Sequence, residues 1–192
     1  MSSEKLTPEQ LIYAYSNGYF PMAEDAEDTE IFWHRPEMRG IIPLDQFHVN
    51  KNMKRLWRKH GYQLKINTAF KAVVMACAER ENTWINPEIV EAYTALHELG
   101  YALSFEVWDN DKLVGGLYGI AIEKAFFGES MFSRATNTSK LALIHLVEFM
   151  KKNDFTLLDT QYLNDHLKQF GAIEIPDEKY MEMLNEAIAK SL

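Results

Sequence analysis

The 192-residue chain is poor in cysteine and has no long hydrophobic run, and these absences exclude several classes of protein. Its one cysteine, Cys77, excludes an internal disulfide and a cysteine metal cluster. Apolar neighbours at helical spacing indicate that Cys77 is a buried structural thiol rather than a nucleophile. No apolar run approaches the roughly 20 residues of a membrane-spanning helix, and the N-terminal residues lack the pattern of a signal peptide. We therefore expect a cytoplasmic protein with no membrane partner.

The sequence also lacks the spacings that metal and nucleophile sites require. The histidines form no His-x-x-x-His pair, so a zinc site is not expected. Ser130 and Ser133 are not part of a Gly-x-Ser-x-Gly turn, which argues against a serine hydrolase. We expect neither a metal ion nor another cofactor.

Positive charge is scarce, yet it is concentrated in one segment. The formal net charge is −8, but residues 49–60 carry +5 without an acid, so the rest of the chain carries −13. A solvated helix face is one interpretation of such a segment. A local positive field that attracts the phosphates of a nucleic acid is the other. The cations concerned are Lys51, Lys54, Arg55, Arg58 and Lys59.

The order of the predicted elements indicates an α+β fold. We expect a small N-terminal α+β domain over residues 1–61, ending at Gly61, and a larger domain over residues 62–192. In the larger domain, helices precede three antiparallel strands, a long helix, a strand, a short helix and an edge strand. This is the layout of the acetyltransferase-like (GNAT) superfamily, with a mixed, mainly antiparallel sheet. The connection before the long helix has no glycine to let its backbone approach a diphosphate, so we expect the fold without coenzyme A.

Polar side chains interrupt two strands that are otherwise apolar. Asp159 ends the run Phe155–Leu158, and Gln161 points to the same side of an extended chain. A carboxylate there is costly to bury without a purpose, and the pair could accept a proton from an attacking amine or orient that amine. A helix cap at Asp159 is an equal alternative. Glu129, after a glycine in an aromatic strand, is expected either to bind a cationic group or to form a salt bridge with Arg134 or Lys140.

Large apolar residues offer a second set of candidates. We expect Leu117, Phe126, Leu143 and Leu146 to line an apolar pocket between the strands and the long helix, although such residues more often form plain core. Tryptophan stacks on nucleobases as well as filling cores. Trp84, just before a predicted helix start, is the best candidate to line a cleft.

These motifs closely resemble those of the bacterial leucyl/phenylalanyl-tRNA–protein transferases, in order along nearly the whole chain. The most specific matches are the glycine-rich strand at 113–119, the Gly-Glu-Ser-Met-Phe-Ser-Arg sequence at 128–134 and the Leu-Asp-Thr-Gln-Tyr-Leu-Asn sequence at 158–164. Further matches are Gly18–Pro21, Phe32–Pro36, Trp84-Ile85, Ser104–Trp108 and Glu174–Pro176.

The resemblance implies an activity and roles for individual residues. The family moves Leu, Phe or Met from aminoacyl-tRNA to the N-terminal Arg or Lys of an acceptor protein, which then enters N-end rule degradation. By this resemblance, Asp159 and Gln161 are the catalytic pair, and Glu129 belongs to the acceptor site. Leu117, Phe126, Leu143 and Leu146 line the amino-acid pocket, Trp33 and Trp84 lie near the terminal adenosine, Ser130 is a further substrate-binding residue, and the basic helix Lys51–Lys59 contacts tRNA. We expect a monomer.

Two other hypotheses remain open at this point. An ordinary GNAT acetyltransferase would bind acetyl-coenzyme A, which the glycine-free connection argues against. A non-catalytic RNA- or peptide-binding module would tolerate loss of the Asp159 carboxylate. Three positions depart from the family pattern: Thr160 replaces an expected Cys, Leu103 an expected His, and Leu146 an expected aromatic residue that would shape the pocket.

Overall fold

A computed structural model describes residues 6–23, 31–59, 61–79 and 83–189. The N-terminal part contains α1 (Pro8–Ser16), β1 (Phe20–Met22), β2 (Phe32–His34), β3 (Met38–Ile41) and α2 (Lys51–Lys59). Next come β4 (Gln63–Ile66), α3 (Phe70–Ala78), α4 (Pro87–Glu98), β5 (Ala102–Asp109), β6 (Lys112–Ile122) and β7 (Ala125–Ser133). The chain continues through α5 (Thr138–Lys152), β8 (Leu157–Gln161), α6 (Asp165–Lys168), β9 (Ile173–Pro176) and α7 (Asp177–Ile188).

A seven-stranded mixed sheet organises the molecule, in the order β4-β5-β6-β7-β8-β3-β9. Neighbouring strands are antiparallel except β7 and β8, which run parallel. The expected α+β fold with a mainly antiparallel sheet is therefore confirmed, and β9 is the edge strand that the sequence predicts. A separate two-stranded sheet pairs β1 with β2.

The strand β3 joins the N-terminal part to the main sheet. It lies between β8 and β9 and pairs with both, with Ile41 opposite Asp159 and Ile173. The division at Gly61 stays a prediction, and in the structure the two parts share one sheet. Because β3 comes from far along the chain, it brings Arg39 next to residues about 120 positions later.

Helices cover both faces of the sheet. On one face, α3, α4, α1 and α7 enclose a core that includes Tyr15, Tyr93 and Tyr180. On the other face, α5 packs on β5, β6 and β7, and Met53 of α2 adds to that core. Cys77 is buried in the first core, as expected. Within the described ranges, no helix combines the length and hydrophobicity needed to cross a membrane.

Local sequence signals explain several helix starts. Thr7 accepts from the backbone N–H of Gln10, and the Gln10 side chain accepts from that of Thr7, which together form a capping box at the start of α1. The Asn86 side chain caps α4 by accepting from the backbone N–H of Ile89. At the start of α5, Asn137 has φ +66° and its side chain makes no capping hydrogen bond, and the Thr138 hydroxyl donates to the carbonyl of Val114.

The parallel pairing of β7 and β8 is short, and this positions the site. The ladder ends at the Phe127–Asp159 pair, whereas β7 continues to Ser133 and β8 to Gln161. Gln161 has φ +64°, the left-handed region that L residues rarely adopt, and it turns the chain away from the sheet. An opening therefore forms between the C-terminal parts of the two strands.

Candidate active site

A cavity of about 400 Å³ occupies the opening between β7 and β8. Residues of β7, β8 and α5, and residues of the segment after β8, surround this cavity. Among the predicted site residues it is lined by Trp84, Leu117, Glu129, Ser130, Leu143 and Leu146. The wall is completed by Tyr118, Gly128, Met131, Ser139, Leu158, Thr160, Asn164, His166 and Leu167.

One wall of this pocket is apolar. Leu117 of β6, Leu143 and Leu146 of α5, and Leu158 of β8 are all nearly or fully buried. Their helix and strand positions fix their side chains, so the wall is preformed. A cavity of this size, apolar on one side and polar on the other, suits one medium-sized apolar side chain together with the polar group that carries it.

Glu129 supplies a carboxyl group at the polar side of the pocket. Its Oε1 accepts from the Tyr15 hydroxyl at 2.6 Å and from Gln161 Nε2 at 3.0 Å, and its Oε2 accepts from the Tyr93 hydroxyl at 3.3 Å. Burial raises the pKa of Glu129 to about 7, with a further contribution from Asp159, although hydrogen bonds from Tyr15 and Gln161 oppose the shift. The residue as a whole is half-buried because one side lines the pocket.

Two tyrosines connect Glu129 to the core. The hydroxyls of Tyr15 and Tyr93 lie 2.5 Å apart. Burial, followed by the negative charge of Glu129, raises the pKa of both tyrosines well above the usual value. Both hydroxyls therefore keep their protons at neutral pH and act as donors to the carboxylate.

Asp159 lies behind the pocket rather than in it. The side chain is fully buried, and Arg39 binds both carboxylate oxygens, with Nε–Oδ1 at 3.0 Å and Nη2–Oδ2 at 2.7 Å. The Tyr180 hydroxyl donates to Oδ2 at 2.6 Å, and the Gln161 backbone N–H donates to Oδ1 at 2.7 Å. A carboxylate with this many donors is poorly placed to take a proton from a substrate, so the geometry favours an orienting role.

Arg39 is held as tightly as the carboxylate it binds. The guanidinium is 4.6 Å from the Phe20 ring centre and 4.5 Å from that of Tyr180, and Nη1 donates to the Gly18 carbonyl at 2.9 Å. Although burial opposes it, the charge of Asp159 raises the pKa of Arg39 above its usual value. The pair is therefore a buried ion pair with almost all its donors and acceptors engaged.

Gln161 links the buried pair to the pocket. Its backbone N–H binds Asp159 while its side-chain amide binds Glu129. The ion pair thus fixes the backbone from which the Gln161 amide reaches the pocket carboxylate. Asp159, Gln161 and Glu129 form one connected network, in which Glu129 is the member that lines the cavity.

The structure places the other predicted site residues in three locations. Phe126 is fully buried against Phe105 and is not among the described residues that line the pocket. Trp33 lies on β2, outside the pocket lining, and is 42% exposed. The five cations of α2 are exposed on one helix and surround a shallow groove of about 250 Å³: Lys51, Lys54, Arg55, Arg58 and Lys59.

The alternative role for Glu129 is wrong. Arg134 pairs with Glu79 instead, at 2.7 Å, and the carboxylate of Glu129 is bound by Tyr15, Tyr93 and Gln161. Within the described ranges, no group of three or more His, Cys, Asp or Glu side chains is arranged to hold a metal ion.

Sequence reasoning missed several members of the network. Arg39 carried a usable signal, since a lone arginine in a short apolar strand needs a buried partner. Tyr15, Tyr93 and Tyr180 carried none, because an aromatic residue on the inner face of a helix is ordinary core. His166 lies two residues after the matched motif at 158–164. Its position on the pocket wall, however, depends on the turn at Gln161.

Comparison with known proteins identifies the family. The family model "Leucyl/phenylalanyl-tRNA protein transferase" matches residues 41–185, and the model of the N-terminal domain of the same enzymes matches residues 4–37. The chain belongs to this family. The resemblance seen in the sequence is thereby confirmed, and the family is one of aminoacyltransferases.

Comparison with solved structures supports the fold alone. The chain is similar to FemX, with a TM-score of 0.56 at 14% identity over 86% of this chain and 66% of that one. It thus spans slightly less than two thirds of FemX. L-PGS from Bacillus licheniformis is also similar, with a TM-score of 0.46 at 12% identity over 95% of this chain and 71% of that one.

The titration of Glu129 is the first prediction of this site. We expect its carboxyl group to be protonated below about pH 7 and ionised above it. Carbon-13 NMR of carboxyl-labelled glutamate should show one resonance with a midpoint near 7 that disappears in Glu129→Gln. Glu106 is an internal comparison, because hydrogen bonds from Thr68 and Trp108 outweigh burial and lower its pKa. A midpoint near about 4.3 for the lost resonance would contradict the prediction.

The Arg39–Asp159 pair gives the second prediction. Arg39→Met or Asp159→Leu alone leaves one buried charge without its partner and should lower the free energy of unfolding by about 3–5 kcal/mol. The double variant should lose less than the sum of the two single changes. Urea denaturation measures this coupling. The matched control is the more exposed pair Arg35–Asp177, with a nitrogen–oxygen distance of 2.6 Å, where the corresponding three variants should couple by at most about 1 kcal/mol. Additive losses at Arg39 and Asp159 would rule out the interpretation.

Proposed function

We propose that this protein transfers Leu, Phe or Met from aminoacyl-tRNA to the N-terminal Arg or Lys of acceptor proteins. The observation that carries the proposal is that an apolar pocket opens directly beside the Glu129–Gln161 pair. Such a site can hold an apolar aminoacyl group and, at its edge, an attacking amine. Membership of the transferase family supports the same reaction.

The apolar wall would select the donor amino acid. Leu117, Leu143, Leu146 and Leu158 exclude charged and strongly polar side chains, since these would lose their hydration without new partners. An apolar pocket separates similar hydrophobic side chains weakly, which fits a set of three donors. Phe126 would support the wall from the core behind it, and Ser130 would contact the substrate at the polar side.

Glu129 would act on the acceptor amine. An α-ammonium group attacks only after losing a proton, and a carboxylate with a pKa near 7 can accept that proton at neutral pH. The amine nitrogen then forms a bond to the ester carbonyl carbon and loses a second proton, the bond from that carbon to the ribose oxygen breaks, and the ribose oxygen takes up this second proton, while the proton on Glu129 passes to solvent. Gln161 would orient the amine and Glu129, and Asp159 with Arg39 would hold Gln161 in place.

Nucleic-acid contacts would come from two regions. Trp84 lines the pocket and Trp33 is exposed, so each could stack on the terminal adenosine. The five exposed cations of α2 would bind tRNA phosphates, offsetting the repulsion expected from a chain of net charge −8. The protein would act in the cytoplasm as a monomer without coenzyme A or a metal ion, and its products would enter N-end rule degradation.

A transfer assay tests the proposal. Labelled leucine on tRNA should pass to peptides that begin with Arg or Lys and not to peptides that begin with Asp or Ala. Glu129→Gln should lower kcat/KM by about a hundredfold or more, because the proton acceptor is lost. Glu98→Gln, the same change at an exposed helix end, should have no effect. Binding of tRNA without transfer to any peptide would refute the proposal.

The basic helix yields a prediction about salt. Arg55→Glu with Arg58→Glu should weaken tRNA binding and reduce the slope of log Kd against log salt concentration by about 2, because two phosphate contacts are lost. Lys71→Glu with Lys112→Glu makes the same charge change at exposed positions away from α2 and should leave the slope unchanged. Equal slopes in wild type and the α2 variant would remove this helix from the interface.

A further inference from the structure

We propose that His166 binds an oxygen of the aminoacyl-ribose unit of the donor by donating its Nε2–H. This inference rests on the proposed function and names the part of the donor that the polar side of the pocket recognises. His166 belongs to α6, which follows the turn at Gln161, and its ring forms part of the pocket wall.

The first observation is an unsatisfied ring nitrogen. Nε2 of His166 is buried and has no hydrogen-bond partner among the described residues. Buried polar atoms are nearly always paired, so an exception on a pocket wall indicates a group that a ligand satisfies. Thr160, on the same wall, also has a buried hydroxyl without a partner in the described part of the chain.

The neighbours of His166 favour the tautomer in which Nε2 carries the proton. Lys140 Nζ donates to Gln169 Oε1 at 3.4 Å, which orients that amide. Gln169 Nε2 then donates to the His166 carbonyl at 2.7 Å and lies 3.5 Å from Nδ1 of the ring. Because an amide nitrogen faces Nδ1, Nδ1 is the acceptor nitrogen of the neutral ring and Nε2 is the donor.

The ring stays neutral at physiological pH. Burial, together with the positive charge of Lys140, lowers the pKa of the His166 imidazole. The ring therefore offers one N–H donor and carries no positive charge that would attract a carboxylate. Its ligand is best described as an uncharged or weakly charged oxygen acceptor.

The three amino acids proposed to be transferred limit which oxygen can accept the hydrogen bond from His166. The side chains of Leu and Phe have no hydrogen-bond acceptor, and the Met sulfur is a weak one. The acceptor must then lie where the aminoacyl group joins the ribose, which offers the carbonyl oxygen and the neighbouring 2′-hydroxyl. A contact with the 2′-hydroxyl would help the pocket to distinguish aminoacylated tRNA from a free amino acid of the same side chain.

The test uses 3′-leucylamido-3′-deoxyadenosine, a stable analogue of the donor end, and measures its Kd by calorimetry. His166→Phe keeps a flat ring but removes the N–H, and we expect binding about 5-fold to 10-fold weaker. His166→Gln should recover most of the loss, because its amide nitrogen reaches the position of Nε2. His48→Phe, outside the pocket lining, is the matched control and should bind like wild type.

A second probe separates the two oxygens. The analogue that also lacks the 2′-hydroxyl should bind wild type and His166→Phe with the same ratio as the first probe if the carbonyl is the acceptor. If the 2′-hydroxyl is the acceptor, this probe should bind both proteins equally. Equal binding of the first probe to wild type and His166→Phe, with unchanged thermal midpoints, would overturn the proposal.

The result is independent of the transfer assay. If wild type binds the probe but transfers no leucine to any peptide, the proposed function fails while the role of His166 is still decided by the Kd values. If wild type transfers leucine normally and His166→Phe has the same KM for Leu-tRNA, the inference about His166 alone fails. A rise in KM with little change in kcat is the expected kinetic result.

Discussion

The ion pair between Arg39 and Asp159 is the interaction on which the rest of the site depends. It joins the neighbouring strands β3 and β8 of the sheet, and Tyr180 of α7 and the Gly18 carbonyl complete its hydrogen bonds. One interaction therefore connects the N-terminal part, the sheet and the terminal helix. Burial makes the pair sensitive to substitution, because removal of either partner leaves the other charge in a place that water cannot reach.

The pocket owes its position to a second constraint, the early end of the β7–β8 ladder. Two parallel strands that stop pairing leave room for a ligand, and backbone atoms at the edges of the opening are no longer tied to each other. Gln161, at the end of β8, bridges the opening through Glu129. The polar network and the apolar wall consequently meet at one place, which is what the proposed transfer requires.

Much of the fold was predictable because its signals are local. The capping box at Thr7, the Asn86-Pro87 helix start and the alternation in β5 each specify an element without reference to distant residues. The candidate site was predictable in part. Glu129 and Gln161 stand out as polar residues in apolar strands, but nothing local shows that Asp159 is enclosed by Arg39, which lies 120 residues earlier.

The sequence by itself determined the elements, the basic helix and the family, since periodicity, charge and motif order are properties of the chain. Only the tertiary structure decided which carboxylate is buried in an ion pair and which one lines the pocket. Asp159 is buried against a cation, whereas Glu129 is enclosed by neutral donors beside a cavity. The charge of a carboxyl group depends on desolvation and on neighbours from distant segments, and packing alone brings those together.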